Sequence, residues 1–314
     1  MNRKLLALAV TAALAAPLAA QAAPTLYGQL NLSIDSVDQE STGEDEFQVN
    51  SNSSRLGVRG EEDLGNGLSA IYQAEWGVDA SGDGGDLSLR DRFLGVKGDF
   101  GTVKVGAFKA PLNTSQGGVD LFDDMTYADM GTFGINGEDR KSNLIQYESP
   151  KIADAISIKV AIQPGEATGT SDGLADVVSA SVAYEAGGLY VALGHEIGDD
   201  ALAGGAGGFD ITRLTATYTM DALQFGAMYQ QAEDLTAGSS KVDSFLVGAA
   251  YTMDKNVFKA QFVSTEDTVD AILLGVEHNY SQMTKAYVHA SQAKWDTAGD
   301  PEDTVISIGM LTRF

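Results

Sequence analysis

Residues 25–34 read TLYGQLNLSI, and apolar and polar side chains alternate along the whole stretch. Leu26, Gly28, Leu30, Leu32 and Ile34 fall on one face, and Tyr27, Gln29, Asn31 and Ser33 fall on the other. A period of two is typical of a β-strand with one apolar and one polar side. The same alternation returns over residues 68–78, 178–184 and 306–314, and we find no long amphipathic helix. The sequence therefore predicts an all-β protein.

The connections between these strands have two lengths, which alternate along the chain. Short turns lie at 63–67, 97–101, 186–188, 220–222 and 253–255, and longer polar stretches lie near 38–48, 79–87, 164–174, 198–208, 234–241, 265–269 and 295–303. Outer-membrane barrels have this arrangement, with short turns at one end and long loops at the other. The chain after residue 22 also lacks any stretch with the ~20 apolar residues of a membrane helix.

Sixteen strands account for the chain after residue 22. We place them at 25–36, 49–62, 68–79, 88–98, 101–109, 139–149, 155–163, 175–186, 188–197, 209–220, 222–233, 242–253, 255–265, 270–280, 283–294 and 304–314. The remaining 314 − 22 = 292 residues give about 18 residues for each strand and its connection, which suits membrane strands of ~10 residues. Sixteen strands also enclose an aqueous channel, which eight do not. The predicted fold is a sixteen-stranded antiparallel transmembrane β-barrel, with a soluble β-sandwich as the alternative.

The N-terminus has the pattern of a secretory signal peptide. Arg3 and Lys4 precede an apolar run over residues 5–20, and the small-x-small site Ala20-Gln21-Ala22 follows it. We expect residues 1–22 to be removed by cleavage near Ala22 and Ala23, leaving a barrel domain over 23–314. A membrane-anchor helix is the alternative, and the short, alanine-rich run disfavours it.

The mature chain is strongly acidic and contains no cysteine. Without Arg3 and Lys4, 20 − 2 = 18 basic residues face 44 acidic ones, so the formal charge changes from −24 to −26. This balance argues against nucleic acid as a partner. The absence of cysteine excludes a disulfide framework and a thiolate metal site.

Residues 110–139, which we call the third loop, read APLNTSQGGVDLFDDMTYADMGTFGINGED and lack both strand alternation and a sustained helical stripe. A connection of this length inside a compact domain is usually functional or disordered. Its apolar residues argue against disorder; they are Leu121, Phe122, Met125, Tyr127, Met130, Phe133 and Ile135. We expect the third loop to fold into the barrel and to narrow a water-filled pore.

Charged residues predict a constriction at this loop. Its acids are Asp120, Asp123, Asp124 and Asp129, and the flanking strands carry Arg55, Arg90 and Arg140, with Arg59, Arg92 and Lys109 as further candidates for the pore lining. The arginines fall on the faces opposite Leu56, Val58, Phe93, Ile145 and Tyr147. A charge on the lipid face costs ~2–4 kcal/mol near mid-membrane, so we expect them to face water. Surface charges at strand ends are the alternative. Arginines opposite carboxylates would set a field across the pore that filters ions.

Two runs of sequence resemble the general porins of Gram-negative outer membranes, and the resemblance extends along the mature chain. Residues 54–68, SRLGVRGEEDLGNGL, followed by Ala70, Gln73 and Glu75, resemble the second strand, turn and third strand of that family. Arg90, the run FLGVKG at 93–98, Phe100, Gly101 and Val103 resemble its fourth strand and turn. Three departures are the run MGTFG at 130–134 in place of the loop pattern common in relatives, Ala107 where many relatives have arginine, and a shorter turn within 280–287.

The resemblance implies a homotrimer of sixteen-stranded barrels whose third loop folds inward. It assigns Arg55, Arg90 and Arg140 to the basic wall of the pore, through matching positions, and leaves open which loop acids face them. Residues Ile308, Met310, Thr312 and Phe314 resemble the terminal strand signal by which the barrel-assembly machinery recognises such proteins. The expected surroundings are outer-membrane lipid and lipopolysaccharide, and the expected cargo is ions and small hydrophilic solutes.

The leading functional hypothesis is a passive diffusion channel in the outer membrane. We expect a preference for cations, because the mature chain is acidic, four aspartates lie in the third loop, and Ala107 replaces the arginine of many relatives. A substrate-selective channel and a non-channel adhesive or structural β-protein are the alternatives. An enzyme is not expected, because His195, His278 and His289 form neither a triad nor a metal motif. No cofactor or metal is predicted. Asp79, Asp83 and Asp86 lie among glycines, a pattern open to calcium binding but simpler to explain as a solvated loop.

Overall fold

The computed structural model describes residues 23–82, 84–85, 87–165, 173–199, 208–235 and 240–314. The predicted signal peptide, residues 1–22, lies outside the described residues, as do Asp83 and Asp86. Within the described ranges, no helix is long and apolar enough to cross a membrane.

The described residues form one closed antiparallel sheet of seventeen strand segments. The segments are β1 (Thr25–Gln39), β2 (Glu44–Ser51), β3 (Arg55–Gly65), β4 (Leu68–Gly77), β5 (Ser88–Gly98), β6 (Gly101–Lys109), β7 (Arg140–Glu148), β8 (Ile156–Gln163), β9 (Val177–Ala186), β10 (Leu189–Asp199), β11 (Gly208–Met220), β12 (Leu223–Asp234), β13 (Lys241–Met253), β14 (Asn256–Thr265), β15 (Val269–Asn279), β16 (Thr284–Trp295) and β17 (Glu302–Arg313). Neighbours in sequence pair with one another, and β1 pairs with β17, which closes the barrel.

Two of these segments share one position in the barrel. β2 pairs with the C-terminal part of β1 and β3 with its N-terminal part, so they are successive pieces of one strand interrupted at residues 52–54. Ser53 at this break has a φ of +51°. Seventeen segments therefore occupy sixteen positions, which confirms the predicted sixteen-stranded antiparallel barrel. The predicted loop at 38–48 was wrong in extent, because β1 continues to Gln39 and β2 begins at Glu44, which leaves residues 40–43 as the turn.

The strands expose apolar side chains on the outside of the barrel and bury polar ones inside it. Leu30, Leu274 and Ile308 are 43–59 % exposed on the outer face. Asn31 and Gln230 are fully buried on the inner face. An apolar outer surface is stable in lipid rather than water, which is the pattern expected of a membrane barrel.

The tight turns are explained by their residues. At Asn66-Gly67 and at Gly187-Gly188 both central residues have positive φ, between +55° and +83°. Such two-residue turns match the twist of paired strands, and Asn and Gly adopt positive φ at the least cost. They fix the register of the hairpins β3–β4 and β9–β10.

The main apolar core lies inside the barrel, between the third loop and the wall. It contains loop residues Val119, Phe122, Met125, Ala128, Met130, Phe133 and Ile135, and wall residues Met228, Leu246, Val263, Val269, Ala271, Leu273, Tyr287 and Ala293. The wall residues belong to β12–β16. The prediction of an inward-folded third loop is confirmed, and its apolar residues are the reason that it folds inward.

Candidate functional site

The third loop begins against β9 and β10. It opens with a single helical turn, α1 (Pro111–Thr114), which suits a proline at its first position because that residue has no N–H to satisfy. The Ser179 hydroxyl accepts a hydrogen bond from the Leu112 N–H at 3.0 Å, and the Tyr190 hydroxyl donates to the Ser115 carbonyl at 3.2 Å. The start of the loop is therefore fixed to the wall.

The middle of the loop is attached to β14 by polar contacts as well as by the apolar core. The Gln261 amide donates to Asp120 at 2.9 Å and accepts from the Leu121 N–H at 2.8 Å. Lys259 donates to the Leu121 carbonyl at 2.8 Å, and the Thr265 hydroxyl donates to the Phe133 carbonyl at 2.8 Å. These bonds satisfy the backbone groups that an irregular segment buries.

The tip of the loop meets the break between β2 and β3. The side-chain oxygen of Asn52 accepts hydrogen bonds from the N–H and the hydroxyl of Thr126, at 3.0 and 2.8 Å. The Tyr127 hydroxyl donates to Gln48 at 2.6 Å. Since its start lies at β9 and β10, the loop crosses the lumen from one side to the other.

A cavity of ≈ 370 Å³ remains between the loop and the wall strands β3–β7. We call it the constriction cavity. Its lining consists of Ser53, Arg90, Lys109, Asp123, Asp124, Asp129, Gly131, Ile135, Asn136, Gly137, Glu138, Asp139 and Arg140. Acids and bases thus line one narrow polar space.

The predicted arginines Arg55 and Arg90 meet a loop carboxylate. Asp124 lies 2.8 Å from Nη1 of Arg55 and 3.9 Å from Nη2 of Arg90. Glu75 on β4 is a second carboxylate of this group, 2.6 Å from Nε of Arg90, and it accepts a hydrogen bond from the Tyr27 hydroxyl at 2.9 Å. Two arginines and two carboxylates form one compact network that joins the wall to the third loop.

Arg140 is paired with Asp91 rather than with a loop aspartate, at 2.6 Å. A β-bulge explains the position of Asp91: Ala74 pairs with Arg92 and Trp76 with Leu89, so Arg90 and Asp91 both stand opposite Glu75. The extra residue reverses the alternation beyond it.

Arg92 therefore lies on the outer face, 6.0 Å from the Trp76 ring centre, whereas alternation alone predicts that its side chain points into the lumen. Phe93 instead packs inside, against Phe108.

The four loop aspartates occupy different environments. Asp123 is exposed and Asp124 is paired with the arginines. Asp120 is only 8 % exposed and accepts hydrogen bonds from the N–H groups of Phe122 and Met130. The Asp129 carboxylate accepts from the Gly131 N–H and caps the 3-10 turn Met130–Phe133. Sequence alone did not separate the two that hold the loop together from the two on its surface.

Three of these carboxylates lie close enough to compete for one proton. Oxygens of Asp120, Asp123 and Asp129 are all within 4.8 Å of one another. Burial raises the pKa of Asp120 to about 6, and burial with the neighbouring Asp120 charge raises the pKa of Asp129 to about 7. Asp124 behaves in the opposite way: although burial acts to raise its pKa, Arg55 and Arg90 hold it below its ordinary value.

The remaining predicted residues lie at the margins of the site. The Arg59 guanidinium lies 4.8 Å from the centre of the Tyr27 ring, and Lys109 lines the constriction cavity beside Arg140. Phe314 exchanges backbone hydrogen bonds with Gly28 at 2.9 and 3.1 Å, next to the pairing of β1 with β17. Its ring lies over Gly28, where an added Cβ would meet it at 2.6 Å.

Sequence reasoning missed five residues that hold this site. They are Glu75 and Asp91 on the wall, Asn52 at the strand break, Glu138 at the end of the loop and Arg213 on β11. Glu75 appeared only as part of the family resemblance, and the bulge that turns Asp91 inward has no glycine or proline to mark it. The position of Arg213 could have been predicted from the sequence. It alternates with the apolar Leu214 along one strand, so its side chain should point into the barrel.

Comparison with known proteins identifies the family. A profile of the family described as Gram-negative porin matches residues 7–298. The chain is 28 % identical over 314 residues to Outer membrane porin protein 32 of Delftia acidovorans, covering 91 % of this chain and 88 % of the relative.

Solved structures share the fold. An anion-selective porin from Comamonas acidovorans has a TM-score of 0.82 at 24 % identity, covering 93 % of this chain and 99 % of that one. A trimer form of OmpT, an outer membrane protein of Vibrio cholerae, has a TM-score of 0.67 at 17 % identity, covering 93 % and 99 %. The barrel, the inward third loop and the family match agree, and the chain belongs to the Gram-negative porins, outer-membrane channels that are not enzymes.

Proposed function

We propose that this porin is a passive diffusion channel for ions and small hydrophilic solutes. The main observation in support is the constriction cavity, a polar space of ≈ 370 Å³ lined by both acids and bases. Solutes that cross the barrel at this level meet fixed charges at close range, where water screens them least. Such an arrangement filters by size and charge without needing a specific binding site.

We further propose a preference for cations. Each wall arginine has a carboxylate within 4.0 Å: Asp124 and Glu75 for Arg55 and Arg90, and Asp91 for Arg140. Their positive charge is therefore largely balanced locally, while the carboxylate of Asp123 is exposed on the loop. The mature chain is also strongly acidic, which concentrates cations near its mouth. The similar porin from Comamonas acidovorans is described as anion-selective, so a preference for anions is the alternative to be tested.

The assembly that suits this chain is a homotrimer in outer-membrane lipid and lipopolysaccharide. The trimer form of the Vibrio relative and the shared barrel support that state. We propose that residues 1–22 are a signal peptide cleaved near Ala22 and Ala23. Phe314 serves as the assembly signal read by the barrel-assembly machinery, and its backbone pairing with Gly28 next to the barrel closure supports that role.

Incorporation of the purified protein into a planar lipid bilayer tests the proposal. A diffusion channel gives stepwise increases in conductance and a reversal potential across a KCl gradient on the cation side. An adhesive or structural β-protein gives no steps. Reversal on the chloride side would refute the cation preference and leave the channel itself in place.

A further inference from the structure

Arg213 is a charged side chain buried inside the barrel. It lies on β11, faces the lumen and has an exposed fraction of 0 %. A buried charge is costly unless it is paired and hydrogen-bonded. The contacts of this guanidinium therefore indicate what it does.

All three nitrogens of the guanidinium are engaged, two of them by the end of the third loop. Nη1 lies 2.6 Å from the Glu138 carboxylate, and Nη2 donates to the Asn136 carbonyl at 2.8 Å. Nε donates to the side-chain oxygen of Gln230 at 2.8 Å, and the Gln230 amide donates in turn to the Asn136 carbonyl at 3.1 Å. The two hydrogen bonds from Nε and Nη2 fix the direction of the planar guanidinium, and the contact of Nη1 with Glu138 adds attraction between opposite charges.

The same loop end is bonded to the loop start. The Asn113 amide donates to the Glu138 carbonyl at 2.7 Å. Gly137 has a φ of +88°, and an added Cβ there would lie 2.6 Å from a Leu112 methyl group. The close approach requires glycine. Arg213, Glu138 and Asn113 therefore close the base of the loop against the wall.

These residues adjoin the pore. Asn136, Gly137, Glu138, Asp139 and Arg140 follow one another in sequence, and all line the constriction cavity. A shift of this segment would move Asp139 and Arg140 and change both the width and the charge of the cavity.

We propose that Arg213 is a positioning residue for the constriction: through Glu138 and Asn136 it holds the end of the third loop, and so sets the conductance and charge preference of the pore. This rests on the proposed channel function. The competing account is that the apolar core alone holds the loop, in which case Arg213 contributes only to stability.

The test compares Arg213→Gln and Glu138→Gln with Arg313→Gln, which removes an arginine at the end of β17. Trimers that resist heat and detergent show that each variant is assembled. In single-channel recordings we expect Arg213→Gln and Glu138→Gln to give several-fold larger open-channel current noise and an altered reversal potential. Arg313→Gln should match the parent.

A disulfide provides a rescue, because the chain has no native cysteine. A Cβ built on Gly134 lies 3.6 Å from the Thr265 Cβ, within the range of about 3.5–4.5 Å that a disulfide spans. The variant Arg213→Gln is combined with Gly134→Cys and Thr265→Cys. The open-channel current noise should be at the parental level in the oxidised protein and larger in the reduced protein. Comparing the two redox states of one protein cancels any strain from the positive φ at Gly134.

Parental noise and reversal potential in assembled Arg213→Gln and Glu138→Gln would overturn the proposal. If Arg213→Gln does not assemble, the recordings of Glu138→Gln alone test the proposal, because this variant breaks the same ion pair from the loop side. The amide hydrogen exchange rate of residues 130–139 is a second measurement. It reports on the loop itself and does not depend on whether the protein conducts ions. Faster exchange in the variants supports the tether even if the parent did not conduct, and unchanged exchange refutes it.

Discussion

Replacing Asp123 by asparagine should lower the preference of the pore for potassium over chloride. The constriction cavity of ≈ 370 Å³ corresponds to a sphere with a radius of about 4.5 Å, so a lining carboxylate lies roughly 6 Å from an ion at its centre. At that distance in water, removing one charge changes the energy of a monovalent ion by about 0.7 kcal/mol. Asp123→Asn leaves the wall arginines and their partners unchanged.

Salt reduces this energy by an amount that can be calculated. At about 0.15 M salt the Debye length is ~8 Å, and screening lowers this energy to about 0.3 kcal/mol. That energy corresponds to a change of about 1.7-fold in the local concentration of each ion. Potassium falls and chloride rises, so the permeability ratio should fall about three-fold. At about 1 M salt, where the Debye length is ~3 Å, the same substitution should change the ratio by only about 1.4-fold.

The assay is the reversal potential across a KCl gradient at low and high salt, for the parent and for Asp123→Asn. Glu46→Gln is the matched control, since it removes one exposed carboxylate on β2 outside the constriction lining. An unchanged ratio in Asp123→Asn at low salt, or an equal shift in Glu46→Gln, would show that Asp123 does not act on ions in the constriction. Substituting asparagine for all four loop aspartates should shift the potential further in the same direction.

Three further predictions concern pH, assembly and the loop tip. Because the pKa of Asp129 is raised to about 7, acidification from about pH 8 to about pH 5 removes its negative charge, and the measured potassium-to-chloride ratio should fall. Deleting Phe314 should slow membrane insertion while secretion continues, and normal yields of heat-resistant trimers would argue against it. Asn52→Ala removes the acceptor shared by the N–H and the hydroxyl of the exposed Thr126, at a cost of about 0.5–1.5 kcal/mol for each bond, and should lower the melting temperature relative to the parent.

The barrel could be predicted from sequence because its cause is local. Alternation such as that of residues 25–34 marks the strands, and Asn-Gly or Gly-Gly marks the tight turns at 66–67 and 187–188. The break at 52–54 was missed because no glycine or proline marks it in the sequence. Its cause is tertiary, since Asn52 turns to meet Thr126 in the third loop.

The site was less predictable because its contacts join distant parts of the chain. Four aspartates in one loop look equivalent in sequence, yet Asp120 is buried by a bond to Gln261, 141 residues away. Arg92 was assigned to the lumen because one extra residue in β5 reverses the alternation without a sequence marker. Arg213 contacts Asn136 across 77 residues, and only the folded chain brings them together.

Single-channel conductance in the presence of neutral polymers of increasing size shows whether the third loop narrows a water-filled pore. Small polymers should enter the constriction and lower the conductance, and polymers wider than the cavity should be excluded and leave it unchanged. Conductance independent of polymer size, or no conductance steps at all, would show that the third loop does not narrow such a pore.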